Sequence, residues 1–232
     1  MKTLRNILAI VVFALLAITP SAAQTHYVPH MSVGVRGGVD MSNIAFSPKV
    51  KQSMLMGANF GFAFTYAEER HVGLRAELNL AQRGWKENFE EHNDAFSYSR
   101  TINYITLPVM THIFFGGRHV KCLFNLGPEF GFMLSDSRKA NFDYNDPQSV
   151  PDFPLQNRYV DQMGMKIKNR FDYGITAGIG VEFLINRWHS IQIEARYYFG
   201  LGNIYSATKR DEFGASRNNT ISASVGYFFR FK

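Results

Sequence analysis

Eight segments of the chain alternate apolar and polar residues one by one, near 32–41, 55–66, 71–83, 102–115, 120–134, 170–185, 190–201 and 219–231. A period of two is the spacing of a β-strand whose faces meet different surroundings. The connectors alternate too. Those after the second, fourth and sixth segments are tight: Ala67-Glu68-Glu69-Arg70, Gly116-Gly117-Arg118-His119 and Asn186-Arg187-Trp188-His189. Those after the first, third, fifth and seventh are long, roughly 42–54, 84–101, 135–169 and 202–218. Tight turns at one rim and long loops at the other are the pattern of a barrel spanning an outer membrane. The expected fold is therefore all-β: an eight-stranded antiparallel transmembrane β-barrel with short periplasmic turns and long extracellular loops.

A soluble barrel wrapped around a ligand alternates as well, so the contents of the two faces decide. In the second strand Met56, Phe60, Phe62, Phe64 and Tyr66 oppose Gly57, Asn59, Gly61 and Thr65. In the sixth, Phe171, Tyr173, Ile175, Ile179, Val181 and Phe183 oppose Asp172, Thr176, Gly178, Gly180 and Glu182. The remaining strands follow suit. A lipocalin-like barrel would turn the apolar face inward and leave the charges in water. Glycines crowd the polar face here, as a narrow lumen requires. Arg36, Arg75, Glu77, Glu129, Glu182, Glu194, Arg196 and Arg230 share that face with them. Mixed signs are expected of enclosed charges, because an unpaired one costs several kcal/mol. The apolar face is predicted to meet lipid and these eight residues to pair inside.

The N-terminus reads as a signal peptide, residues 1–23, leaving a barrel domain over 24–232. Lys2 and Arg5 precede the apolar run Ile7 to Ile18, and Ser21-Ala22-Ala23 offers a small-residue cleavage site. Export to the outer membrane of a Gram-negative bacterium follows. No later stretch approaches the ~20 apolar residues of a spanning helix. Formal charge is +6, or +4 without Lys2 and Arg5. That weak basic bias in an exported chain points to anionic lipid headgroups, not nucleic acid. Outer-membrane lipids and the barrel-assembly machinery are the expected partners, with a surface or secretion-system protein at the loops. Cys122, the sole cysteine, lies on an apolar face and is expected to be inert.

Interfacial aromatics belong where ring bodies meet acyl chains and edges meet water. Tyr66, Trp188, Tyr227 and Phe231 stand near the tight-turn ends, and Tyr173 stands toward the long-loop end. The fourth strand is the least regular: Pro108 predicts a bulge or a missing ladder bond. Gly226 to Phe231 resembles the C-terminal aromatic signal for barrel assembly, with Lys232 after it.

Four stretches invite a family. Val33-Gly34-Val35-Arg36-Gly37-Gly38-Val39-Asp40-Met41-Ser42 opens the barrel, and Glu77-Leu78-Asn79-Leu80-Ala81-Gln82-Arg83-Gly84-Trp85 ends the third strand. Tyr104-Ile105-Thr106-Leu107-Pro108-Val109 and Asn125-Leu126-Gly127-Pro128-Glu129-Phe130-Gly131 follow. In that order they resemble the PorT-like outer-membrane β-barrel family of Bacteroidetes. The resemblance implies an architecture like OmpX and the OmpA membrane domain, and a role as an accessory component of type IX protein secretion.

Candidate chemistry is sparse. His71, His119 and His189 begin alternate strands at one rim, roughly 10 Å apart given the strand spacing. A metal needs ligands converging to about 2 Å, so headgroup contact is the better reading. His112 lies toward the inner rim and His92 in an acidic loop with Glu90, Glu91 and Asp94. Neither a Gly-x-Ser-x-Gly elbow nor a His-Glu-x-x-His pair occurs. Asp136, Asp143, Asp146, Asp152 and Asp161 in the long loop lack calcium-loop spacing. No catalytic, metal or cofactor site is expected. The remaining functions are a structural, adhesion or partner-binding scaffold acting through the loops, type IX secretion by resemblance, and an outer-membrane lipid-modifying enzyme. An open pore is not expected, because side chains fill an eight-stranded lumen.

Overall fold

Strict alternation lets one set of side chains face inward and the other outward along the whole length of a strand, and the computed structural model follows that rule. It describes residues 29–67, 69–89, 95–155, 158–207 and 211–231. The expected signal peptide lies outside the described residues, as do Glu68, the cluster of Glu90, Glu91, His92 and Asp94, and Lys232. The long strands are β1 (His30–Ser47), β2 (Leu55–Ala67), β3 (Val72–Glu87), β4 (Tyr98–Gly116), β5 (Val120–Ala140), β6 (Phe171–Leu184), β7 (His189–Gly200) and β8 (Ala215–Phe231). Each pairs antiparallel with the next. β8 returns to β1, from Met31↔Phe231 to Ser47↔Ala215, and closes the ring. A two-residue strand, Gln52–Ser53, lies against the outer end of β3.

The outward face is apolar and bare. Phe62 is 60% exposed, Ile193 52% and Val225 55%, whereas Arg75, Glu77, Asn125 and Thr176 on the inward face are buried. Such a surface suits acyl chains and not water.

Pro108 removes a ladder bond without shifting the register. β3–β4 pairing passes from Ala76↔Val109 to Asn79↔Thr106 with one gap at the proline. Across β4–β5 a second gap separates Pro108↔Glu129 from Thr111↔Leu126, opposite Pro128. The irregularity that does shift the register lies higher, between Asn103 and Tyr104. In both gaps the cause is the missing N–H of proline.

Five of the eight strands run further outward than their alternation predicts. β1 continues to Ser47 rather than 41, β3 to Glu87 rather than 83, and β5 to Ala140 rather than 134. β4 begins at Tyr98 rather than 102, and β8 at Ala215 rather than 219. Above the bilayer the outer face meets water and the inner face meets the loops, so polarity inverts. On β3 the exposed residues change from Leu78 and Leu80 to Gln82 and Lys86, while the inward ones change from Glu77 to Trp85. On β1 the inward Ile44 and Phe46 succeed Arg36 and Asp40 in the same way.

Candidate functional site

The lumen is filled by ion pairs in three tiers. In the middle tier Glu77 of β3 accepts from Arg36 Nη1 at 2.6 Å and from Arg196 Nη1 and Nη2 at 2.7 and 2.6 Å. Arg196 also donates to Glu194 through Nε at 2.9 Å and Nη2 at 2.8 Å. Arg75 Nη1 stands 4.0 Å from Glu194, and its Nε donates to Thr65 Oγ1 at 2.9 Å. Five of the eight predicted interior charges therefore meet in this tier. Three guanidiniums face two carboxylates, all buried.

The outer tier joins Glu129 to Arg83, whose other arm is 3.8 Å from Asp172. Asp172 accepts from Asn218 Nδ2 at 2.8 Å, and the Arg83 guanidinium lies 4.1 Å over the Tyr198 ring. In the inner tier Arg230 Nη2 is 3.4 Å from Glu182, which also accepts from Ser190 Oγ at 2.7 Å. Glu129, Glu182 and Arg230 thus stand apart from the central five. Arg83 is absent from the sequence prediction, although it continues the inward parity of Arg75, Glu77 and Asn79. Space among these tiers amounts to voids of about 30 and 10 Å³, room for one or two waters.

The loops fold into a cap over the outer mouth. Its core contains Ile44, Phe46, Trp85, Phe89, Tyr98, Phe153, Met163, Tyr205 and Phe213. Rings meet at 5.4 Å (Phe46–Trp85), 5.1 Å (Phe96–Phe153) and 5.0 Å (Phe142–Phe153). A single helical turn, Asp161–Gly164, is clasped by its carbonyls. Tyr98 Oη donates to Met163 O at 2.9 Å, and Tyr205 Oη to Gln162 O at 2.8 Å. Arg100 Nη1 donates to Met165 O at 2.7 Å, while its Nε and Nη2 grip Asp136 at 3.0 and 2.5 Å. Glu87, above the lipid-facing stretch of β3, accepts from Gln162 Nε2 at 2.9 Å and Trp85 Nε1 at 3.1 Å. Arg158 Nη1 is 3.4 Å away. Burial outweighs these donors and pushes the Glu87 carboxyl up to about 7. These residues lay in what the sequence presents as loop.

At the inner rim Trp188 stacks on Phe229 at 6.4 Å, Phe229 on Phe231 at 6.4 Å, and His189 on Tyr227 at 5.8 Å. Tyr66 is half-buried at the same end. Tyr173 stacks on Phe171 at 6.1 Å near the outer rim. Cys122 is exposed on the lipid side. His71 Nδ1 is 3.1 Å from Phe114 O, and buried His112 Nδ1 is 2.7 Å from Asn125 Oδ1. Among the described residues no three His, Cys, Asp or Glu side chains are grouped to hold a metal.

No curated protein sequence matches this chain. Among solved structures it is similar to the outer membrane protein OprG of Pseudomonas aeruginosa, at 12% identity and a TM-score of 0.52, covering 88% of this chain and 95% of that one. Ail, the attachment invasion locus protein of Yersinia pestis, was solved with the heparin analogue sucrose octasulfate. It is 12% identical with a TM-score of 0.44, over 88% and 100% of the two chains. The outer membrane enzyme PagL is 12% identical with a TM-score of 0.37, over 85% and 97%. At such identities the likeness to OprG speaks for the barrel fold alone. A family model for the outer membrane protein beta-barrel domain matches residues 22–206, so the chain belongs to that family and resides in the outer membrane.

Proposed function

We propose that this barrel is a non-catalytic scaffold that presents its cap to a partner at the cell surface. The observation that carries this is the cap itself. Its strand extensions, aromatic core and clasped helical turn form a preorganised surface above a plugged lumen, and preorganisation lowers the ordering cost of binding. Transport and catalysis have less support. The lumen voids have room for one or two waters, and every described histidine (30, 71, 112, 119 and 189) stands in the inner half or at the inner rim. A general base at the outer leaflet would have to come from elsewhere. Residues 1–23 would be removed on export.

The test is cross-linking on intact cells followed by pull-down. A scaffold role predicts a specific surface or outer-membrane protein that is lost when the 141–160 segment is replaced by a Gly/Ser linker. Recovery of the same proteins with and without that segment would refute it. A second reading, favoured by the PorT-like stretches at 33–42, 77–85, 104–109 and 125–131, is an accessory part in type IX secretion. It predicts that deleting the gene traps secreted cargo in the periplasm, whereas a surface scaffold leaves secretion intact.

A further inference from the structure

The entry to β6 carries a sharp step in chemistry. Lys166, Lys168 and Arg170 are all exposed, and the next outward residues are Phe171 and Tyr173, 55% and 46% exposed. On neighbouring β5, Phe132 and Leu134 are 48% and 47% exposed, and Leu201 after β7 is 38% exposed. An open groove of about 590 Å³ runs across this step, lined by Lys168, Arg170, Phe132, Phe171, Tyr173 and Leu201 among others. One end is greasy and faces the bilayer. The other end is cationic and stands just above it.

The groove is built. Lys168 N and Asn169 N both donate to Ile204 O at 3.2 Å, and Asn169 Nδ2 donates to Asn203 O at 2.7 Å. Leu201 N and Gly202 N donate to Tyr173 O at 2.8 and 3.2 Å. The two walls are therefore tied to each other and to β6. Arg170 Nη2 donates to Met133 O and Leu134 O at 3.3 Å, with its guanidinium 5.5 Å over the Phe132 ring. That cation is held at the lipid boundary before any ligand arrives.

We propose that this groove binds a phosphorylated glycolipid of the outer leaflet, its phosphate on Lys168 and Arg170 and an acyl chain on Phe132, Phe171, Tyr173 and Leu201. The occupant must be amphiphilic, because the two ends of one groove demand opposite chemistry. It must be anionic, because a positioned guanidinium beside an ammonium matches phosphate. It must belong to the outer leaflet, because the groove opens at the long-loop rim. The proposal requires the membrane barrel but not the scaffold role of the cap, which is read out separately by the pull-down.

Native mass spectrometry of the folded full barrel in detergent tests it, with diphosphorylated lipid A, dephosphorylated lipid A and phosphatidylglycerol as probes. Wild type is expected to retain diphosphorylated lipid A at least tenfold better than either other lipid. Lys168→Ala/Arg170→Ala should abolish that preference, while Lys49→Ala/Lys86→Ala, which removes equal charge elsewhere, keeps it. Lys168→Glu alone, at an exposed side chain, guards against a folding defect in the double variant and should also lose the preference. Equal retention of dephosphorylated lipid A, equal retention of phosphatidylglycerol, or unchanged binding in Lys168→Glu would each overturn the proposal.

Discussion

Glu77 accepts from both Arg36 and Arg196 in the middle of the lumen, so Glu77→Gln is the sharpest test of how the barrel is held together. The carboxylate takes three hydrogen bonds from Arg36 and Arg196 and a fourth from Asn79 Nδ2 at 3.1 Å. An amide of the same shape offers one acceptor oxygen and points a donor at the other guanidinium. Three buried arginines are then left with Glu194 alone. Breaking a buried pair by neutralising one member costs about 3–5 kcal/mol. With a urea dependence of about 2 kcal/mol per molar, the unfolding midpoint should fall by roughly 2 M. Trp188 at the inner girdle reports the transition by fluorescence in lipid vesicles. Glu77→Gln/Arg36→Met removes the surplus charge while leaving Arg196 on Glu194, and should return most of the lost midpoint, since a buried pair replaced whole is often near neutral. If Glu77→Gln unfolds within about 0.3 M of wild type, the change is no larger than a surface substitution's and the tier is not a buried electrostatic unit.

Three further outcomes follow from the cap. Burial holds Glu87 at about 7 against 4.5 unfolded, so the folded cap keeps a proton that the open cap releases between those values. Its stability is full below about pH 4.5 and declines as pH rises through 7. Protection of the 161–164 amides, measured against their intrinsic exchange at each pH, should fall over that window in wild type, and flat protection in wild type, or the same fall in Glu87→Gln, would contradict this. Trp85→Ala removes a fully buried ring at about 3–5 kcal/mol, so protease cleavage within 141–160 should rise by at least about a hundredfold while the heat-modifiable gel shift of the barrel persists. Gly84 has φ +148°, and a Cβ there would stand 1.9 Å from Arg100 O. Its amide and carbonyl also share Ser42 Oγ at 2.9 and 3.2 Å. Gly84→Ala should therefore loosen the join between barrel and cap, seen as faster exchange at Trp85 and Lys86 than in wild type.

Within the bilayer the fold was legible because a single rule governs every residue: outward means lipid, inward means a crowded polar lumen. Phe60, Phe62 and Phe64 against Gly61 and Thr65 could be assigned to faces without any contact being known. Which charges meet was not legible. Arg36, Glu77 and Arg196 come from β1, β3 and β7, and only ring closure brings 36 and 196 to the same carboxylate. Above the bilayer the rule itself changes. Trp85, Tyr98 and Ile102 hold the inward parity of their strands yet are apolar, and Gln82, Lys86 and Ser99 hold the outward parity yet are polar. Read with the membrane rule, that inversion looks like the end of a strand; read as a phase change, it marks where the outer face leaves lipid.

The same inversion explains why plug and cap occur together. A strand that leaves the membrane without changing phase would present an apolar outer face to water and a charged inner face to whatever covers the mouth. Inverting the pattern settles both surfaces at once. Polar side chains now face solvent, and apolar ones gather over the lumen, where Tyr104 belongs to the cap core and its ring lies 5.9 Å from the Arg83 guanidinium of the outer tier. Excluding water from Arg83, Glu129 and Asp172 strengthens their attraction and makes each more costly to leave unpaired. Opening the cap would therefore be felt first in the outer tier. Trp85→Ala, predicted above to open the cap, should accordingly shrink the effect of Glu129→Gln on the unfolding midpoint while leaving that of Glu77→Gln, one tier deeper, unchanged. Equal effects of Glu129→Gln with and without Trp85 would show that cap and lumen are energetically separate.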